Sequence, residues 1–191
     1  MRILYFTDIR FPLERANGLQ AMATAHALAR RGHDVRLVVR PDAFHPARDP
    51  FDFYELPPEP RLVITPTPVA GPFWLRRMEY VAAAVLRVGV LRSVDLVFTR
   101  DLGVADLIGR VPGRPPLVYE SHGFAPVFAE TLDELVTGAA PAPASKIRRL
   151  VAREAAVWRR AEGYVSTTRV LVDELMARFG GRDRVVVIPN G

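Results

Sequence analysis

The chain reads as a doubly wound α/β domain on a mainly parallel sheet of about seven strands with helices on both faces, and three patterns carry that expectation. Short, nearly continuous apolar runs recur along it, as strands buried on both faces require. Segments of helical periodicity separate those runs. The first such unit, Arg2 to Arg40, spells strand, glycine-bearing loop, helix and second strand, and a right-handed crossover lays its two strands parallel.

Ile3, Leu4, Tyr5 and Phe6 form the first run. Asp8 to Asn17 is a polar, proline-containing loop, and Gly18 opens a helix whose Leu19, Met22, Ala23, Ala25, His26, Ala27 and Leu28 include one apolar face. Gly32 ends it, with Arg30 and Arg31 at the negative end of the helix dipole. Val35 to Val39 is the second strand. Pro41 to Pro60, rich in Pro, Asp and aromatics (Phe44, Phe51, Phe53, Tyr54), is expected as an ordered excursion over the surface. Arg61 to Thr65 makes a third strand; Pro66, Pro68 and Pro72 punctuate its exit, and a helix follows from about Phe73 to Arg92. Val94 to Thr99 is the fourth strand, Val104 to Ile108 a short helix and Leu117 to Ser121 the fifth strand. Phe124 to Pro143 is expected as a second long loop with one helical turn around Leu132 to Val136 and a mobile APAPA ending. A helix from Ser145 to Glu162, a strand from Tyr164 to Thr167, a helix from Val170 to Phe179 closed by Gly180-Gly181, and a strand from Val185 to Ile188 complete the pattern. Pro189-Asn190-Gly191 is a turn or linker signal, expected to mark a domain boundary.

Composition narrows the function classes. At 49% hydrophobic, 191 residues bury one substantial core. The net charge of +5 is carried almost wholly by Arg, Lys146 being the single lysine. Without cysteine, disulfides and thiolate metal sites are excluded. His26, His33, His45 and His122 lack ligand spacing and there is no D-x-D, so no metal is expected. Neither G-x-G-x-x-G nor G-x-x-x-x-G-K-[ST] occurs, which removes the main support for a dehydrogenase or nucleoside triphosphatase. The most apolar long segment, Met78 to Leu91, is broken by Glu79, Arg87 and Gly89 and does not read as a membrane span. Met1-Arg2 leads straight into a strand, which sets the expectation of a cytoplasmic protein.

Ligands of doubly wound sheets bind at the carboxyl ends of the strands, and the candidates are sought there. Asn17-Gly18 stands at a helix N-terminus, either as a phosphate or sugar contact or as a turn that needs glycine. Arg100, after the fourth strand, is a contact for an anion or the partner of Asp101 or another surface acid. Glu120, Ser121 and His122 follow the fifth strand, and His122 with Gly123 behind it is a hydrogen-bond donor or acid/base group. Phe73, Trp74 and Leu75 beside Arg76 and Arg77 are read as a helix end packed on the domain or as a membrane-interface cluster. The polar face of the helix 145–162, with Lys146, Arg149, Arg153 and Arg160, is a solvated strip that also suits anionic lipid.

The order of RILYFTD, ANGLQAMATAHALARRGHDVRLVV, DLVFTRD, PLVYESHG, AEGYVSTTRVLVDEL and RVVVIPNG resembles the amino-terminal domain of a glycosyltransferase family 4 enzyme, the Rossmann-like N-terminal half of a GT-B fold. The resemblance covers essentially the whole chain and implies retaining sugar transfer from a nucleotide-sugar co-substrate, without metal or other cofactor, to a sugar, lipid-linked or small-molecule acceptor. It further implies a C-terminal domain, absent from these residues, that holds most donor contacts and paired glutamates. Residues 1–191 would then be one acceptor-side domain, inactive alone, cytoplasmic and peripheral at the inner face of an anionic membrane. By resemblance His122 is the histidine near the donor sugar, while Asn17, Gly18 and Arg100 lie near the donor diphosphate and acceptor. Asn17 stands where many members have glycine. A non-catalytic α/β ligand-binding module and a basic polyanion- or membrane-binding domain are the alternatives; no nucleic-acid motif accompanies the basic strip, so nucleic acid is not an expected partner.

Overall fold

A computed structural model describes residues 1–42, 48–67, 71–90, 93–137 and 142–189, with the side chains of 73, 74 and 132–137 outside the description. Phe44, His45, Pro68, the Phe73–Trp74 cluster, residues 91–92, residues 138–141 of the Ala/Pro stretch and Asn190-Gly191 therefore lie outside the described residues. The elements are β1 (Arg2–Phe11), α1 (Ala16–Arg30), β2 (Asp34–Pro41), α2 (Pro50–Phe53), β3 (Leu62–Pro66), α3 (Phe73–Val90), β4 (Leu96–Thr99), α4 (Leu102–Ile108), β5 (Leu117–Ser121), α5 (Ala125–Thr137), α6 (Ala144–Arg160), β6 (Gly163–Ser166), α7 (Arg169–Phe179) and β7 (Val185–Val187). All strand pairs are parallel, in the order β3-β2-β1-β4-β5-β6-β7. The strand order reverses between β1 and β4, which places the topological switch point at their carboxyl ends.

Alternation along β1 explains why its apolar run is continuous. Ile3 and Tyr5 pack with Ala21, Met22, Ala25 and Ala29 of α1, whereas Leu4 and Phe6 join the cluster formed with α3, α4, α6 and α7. Small residues on α1 let it lie close to the sheet. Its exit is closed by Gly32 at φ 85°, whose N–H donates to the Ala29 carbonyl at 2.8 Å, while that of His33 reaches Leu28 at 3.3 Å.

Three expectations are corrected. β1 continues to Phe11, through residues expected to be loop, because Arg10 and Phe11 resume pairing with Arg40 and Pro41 of β2 after an irregularity. α1 begins at Ala16, so Gly18 lies inside its first turn instead of opening the helix. Residues 125–137 form a helix where a loop with one turn was expected. The amide of Ala125 is accepted by the carboxyl of Glu154, from another helix, and Pro126 falls in the first turn, where a missing N–H costs nothing. The excursion 41–60 also contains α2, capped by Asp49, whose carboxylate accepts from Phe51 and Asp52.

Candidate active site

Register brings the chemistry together. Phe6 pairs with Thr99, and Thr99 with Tyr119, so the residues just beyond them, Thr7, Arg100 and Glu120, stand side by side at the strand ends. Phe98 packs on the α1 side of the sheet, and alternation sends Arg100 the same way, where it meets Gln20 of α1. The resulting cleft, about 450 Å³, is lined among others by Asp8, Asn17, Gln20, Arg100, Asp101 and His122.

Arg100, Glu120 and His122 form a compact triad. His122 Nε2 lies 2.6 Å from Glu120 Oε1 and 2.9 Å from Arg100 Nε, and Arg100 Nη2 also contacts the ring. The guanidinium donates to Gln20 Oε1 at 2.7 Å and lies 3.4 Å from Glu120. One ring nitrogen cannot accept from Arg100 and donate to Glu120 at once. The neutral ring with Nε2 unprotonated suits Arg100; the ring with a proton on Nε2 suits Glu120. Two proton arrangements are thus available to a histidine whose side chain is 28% exposed, while Arg100 is only 10% exposed.

A second group lies on the β1 side. The Asp8 carboxylate, 2% exposed, meets Arg40 Nε at 2.6 Å and Arg77 Nε at 3.5 Å, and Arg77 also pairs with Asp101 at 3.1 Å. Burial pushes Asp8 up to about 6, with the negative charge of Asp101 adding to the effect and Arg40 and Arg77 opposing it. Asp101 also accepts the Val104 N–H at 2.9 Å, capping α4.

Of the residues singled out by sequence, Asn17, Arg100 and His122 line this one cleft. Gly18 is adjacent in sequence but faces inward. A Cβ there would stand 2.4 Å from the Leu13 carbonyl oxygen and 2.7 Å from the Tyr54 hydroxyl, and its N–H already donates to Arg15 at 2.8 Å. Arg15, the N-cap of α1, makes no side-chain cap hydrogen bond among the described residues, and no acidic residue occupies the first turn. The basic strip divides. Arg153 and Arg160 turn toward Asp106 of α4, at 3.8 and 3.6 Å, joining Arg110 at 2.8 Å around a carboxylate that is 5% exposed. Arg149 stays exposed and Lys146 half-buried. Asp8 and Gln20 went unassigned in the sequence, and Asp101, read there as a partner for Arg100, pairs with Arg77 instead. Asp8 lies just past the apolar run of β1, as Arg100 does past β4 and His122 past β5, and that shared position was the available signal.

The cleft lies over the switch point of a parallel sheet, the place where open α/β sheets bind their ligands. The chain belongs to the glycosyl transferase 4-like domain family, whose model matches residues 18–191. Among solved structures it resembles sucrose-phosphate synthase from Thermosynechococcus elongatus, at 12% identity and a TM-score of 0.68, over 100% of this chain and 48% of that one. It also resembles WaaG, a glycosyltransferase involved in lipopolysaccharide biosynthesis, at 17% identity and a TM-score of 0.58, over 99% of this chain and 45% of that one. HepE of Anabaena, solved in complex with UDP, matches at 16% identity and a TM-score of 0.55, over 100% and 44%. No curated protein matches. The fold is the N-terminal-like half of GT-B, and the chain spans about half the length of these structures. Among the described residues no helix is long and apolar enough to cross a membrane.

Proposed function

We propose that this domain is the acceptor-side half of a retaining, nucleotide-sugar-dependent glycosyltransferase, completed by a C-terminal donor-binding domain outside these residues and inactive without it. Family membership supports the class of reaction, and the observation that carries the site is the convergence of Arg100, Glu120 and His122 at the switch point. In such a transfer the bond from the anomeric carbon to the diphosphate oxygen breaks as the acceptor hydroxyl oxygen bonds to that carbon on the same face. The acceptor proton passes to the departing diphosphate.

Positive charge grows on the sugar ring and negative charge on the leaving oxygen, so cationic and N–H donors near that oxygen lower the barrier. Arg100 is held in place by Gln20 and Glu120, and His122 beside it donates to the diphosphate or a sugar hydroxyl. Asn17 offers its amide at the start of α1, whose uncapped positive end favours an anion. Asp101, held by Arg77, presents a carboxylate suited to acceptor hydroxyls, and the buried Asp8 on the other side of Arg77 positions that guanidinium. The acceptor is a sugar, a lipid-linked sugar or a small molecule, and no cofactor beyond the donor is invoked. Lys146 and Arg149 remain for contact with an anionic membrane at the cytoplasmic side; Arg153 and Arg160 are engaged with Asp106.

The test is His122→Ala in the polypeptide that carries both domains. Turnover is expected to fall by about 100-fold or more, as loss of an acid/base or leaving-group contact does, with the fold intact by circular dichroism. Turnover near that of the unaltered enzyme would remove His122 from the reaction.

A further inference from the structure

Behind the turn that carries His122 lies a polar group with no part in the chemistry above. Glu154 belongs to the apolar stripe of α6, four residues from Leu150 and four from Trp158, and is 1% exposed. Its Oε1 accepts the N–H of Ala125, the first residue of α5, at 3.2 Å, and its Oε2 is buried with no hydrogen-bond partner among the described residues. Tyr119 of β5 and Tyr164 of β6 face the same space. Burial pushes both phenols up and the Glu154 charge adds to each.

Stability alone favours leucine at this place in the stripe, since a carboxyl with one hydrogen bond in an apolar interior is costly. What leucine cannot supply is an acceptor for the first amide of α5. That amide lies three residues after His122, and the intervening turn is already tight. Ser121 Oγ donates to the Gly123 carbonyl at 3.1 Å, Phe124 is buried, and a Cβ on Gly123 would stand 2.3 Å from the Phe128 ring. The Ser121 and Gly123 contacts arise within the segment 121–128 itself and Phe124 packs against Phe179 of α7; Glu154 ties the first amide of α5 to α6.

We propose that Glu154 is a positioning residue for His122, anchoring the start of α5 and thereby fixing the turn from which the imidazole reaches Arg100 and Glu120. The consequence for transfer rests on the reading of His122 given above, but the test records ring geometry instead of transfer, so failure of one is distinguishable from failure of the other.

The experiment is NMR on the isotopically labelled 191-residue chain, comparing Glu154→Leu, Glu154→Gln and Ala125→Pro. In Glu154→Leu the His122 ring resonances move and the Ala125 amide exchanges roughly tenfold faster, while amides of β1 to β3 keep their positions. Glu154→Gln retains a carbonyl oxygen and restores both readouts. Ala125→Pro deletes the donor at a helix position that tolerates proline and reproduces the His122 shift; if Glu154→Leu does not fold, this variant decides. Unchanged His122 resonances in Glu154→Leu and Ala125→Pro would overturn the assignment. So would equal displacement by Gln and Leu, or a disturbance spread evenly over the sheet.

Discussion

The turn after β1 delivers Asn17 to the cleft and is closed by a neutral clamp, whereas the turn after β5 delivers His122 and is closed by an ionisable one. In the first, the Tyr54 hydroxyl accepts the Leu13 N–H and donates to the Leu13 carbonyl, both at 2.8 Å, with Gly18 packed beneath. In the second, the carboxyl of Glu154 holds Ala125 from inside the core. A phenol bonded at both ends keeps its grip across the working pH range. A buried carboxyl couples its turn to protonation, and burial pushes Glu154 up to about 7, with the Ala125 hydrogen bond opposing the shift.

This difference can be broken at either end. The largest effect is expected at Glu154. Against an ordinary value of 4.5, a folded-state value of about 7 means that the folded protein binds this proton more tightly than the unfolded chain. The stability it contributes is fully present below pH 4.5 and is lost as pH rises through 7. Glu154→Gln should therefore match the wild type in acid and exceed it by about 3 kcal/mol at pH 8, measured by urea unfolding across that range. Asp8, also raised, tilts both proteins alike, so the difference isolates Glu154. A gap that does not widen with pH would contradict the buried-carboxyl account.

Next comes Gly18→Ala. Its Cβ would meet a backbone oxygen, which cannot swing aside as a flexible side chain can, and overpacking of this kind costs about 2 kcal/mol. Chemical denaturation should show that loss with little pH dependence. Smallest is Tyr54→Phe, which removes two hydrogen bonds to a half-buried loop that water reaches. About 1 kcal/mol should be lost, equally at pH 5 and pH 8. A strongly pH-dependent loss there would erase the contrast between the two turns.

The seven strands were legible because burial on both faces makes each a short apolar run, and the helices because their apolar stripes have one period. The candidate site was legible where it follows a strand end directly: Arg100 and His122 are each the first residue past a strand. What escaped depends on contacts between distant parts of the chain. α5 looked like a loop because its first amide is capped from α6 instead of by a neighbour, and because proline and alanine flank it. Glu154 escaped although it interrupts an apolar stripe at the spacing of the stripe itself, a signal that periodicity offers for a buried charge. Gly18 stayed ambiguous because Tyr54, whose hydroxyl fills the space a Cβ would take, lies in a different segment. Arg153 and Arg160 read as surface charge because Asp106, the carboxylate they surround, sits on another helix.

On the function proposed above, nucleotide-sugar transfer takes place at the ends of β1, β4 and β5 once a donor domain faces them. The most direct measurement is hydrolysis and transfer with a panel of UDP-, GDP- and ADP-sugars, comparing these 191 residues with a chain extended past Gly191 in its native reading frame. Transfer by the extended chain alone, abolished by Arg100→Ala, is the predicted result and names the donor. No binding or turnover of any nucleotide sugar by either chain would contradict it and leave a ligand-binding module as the better description.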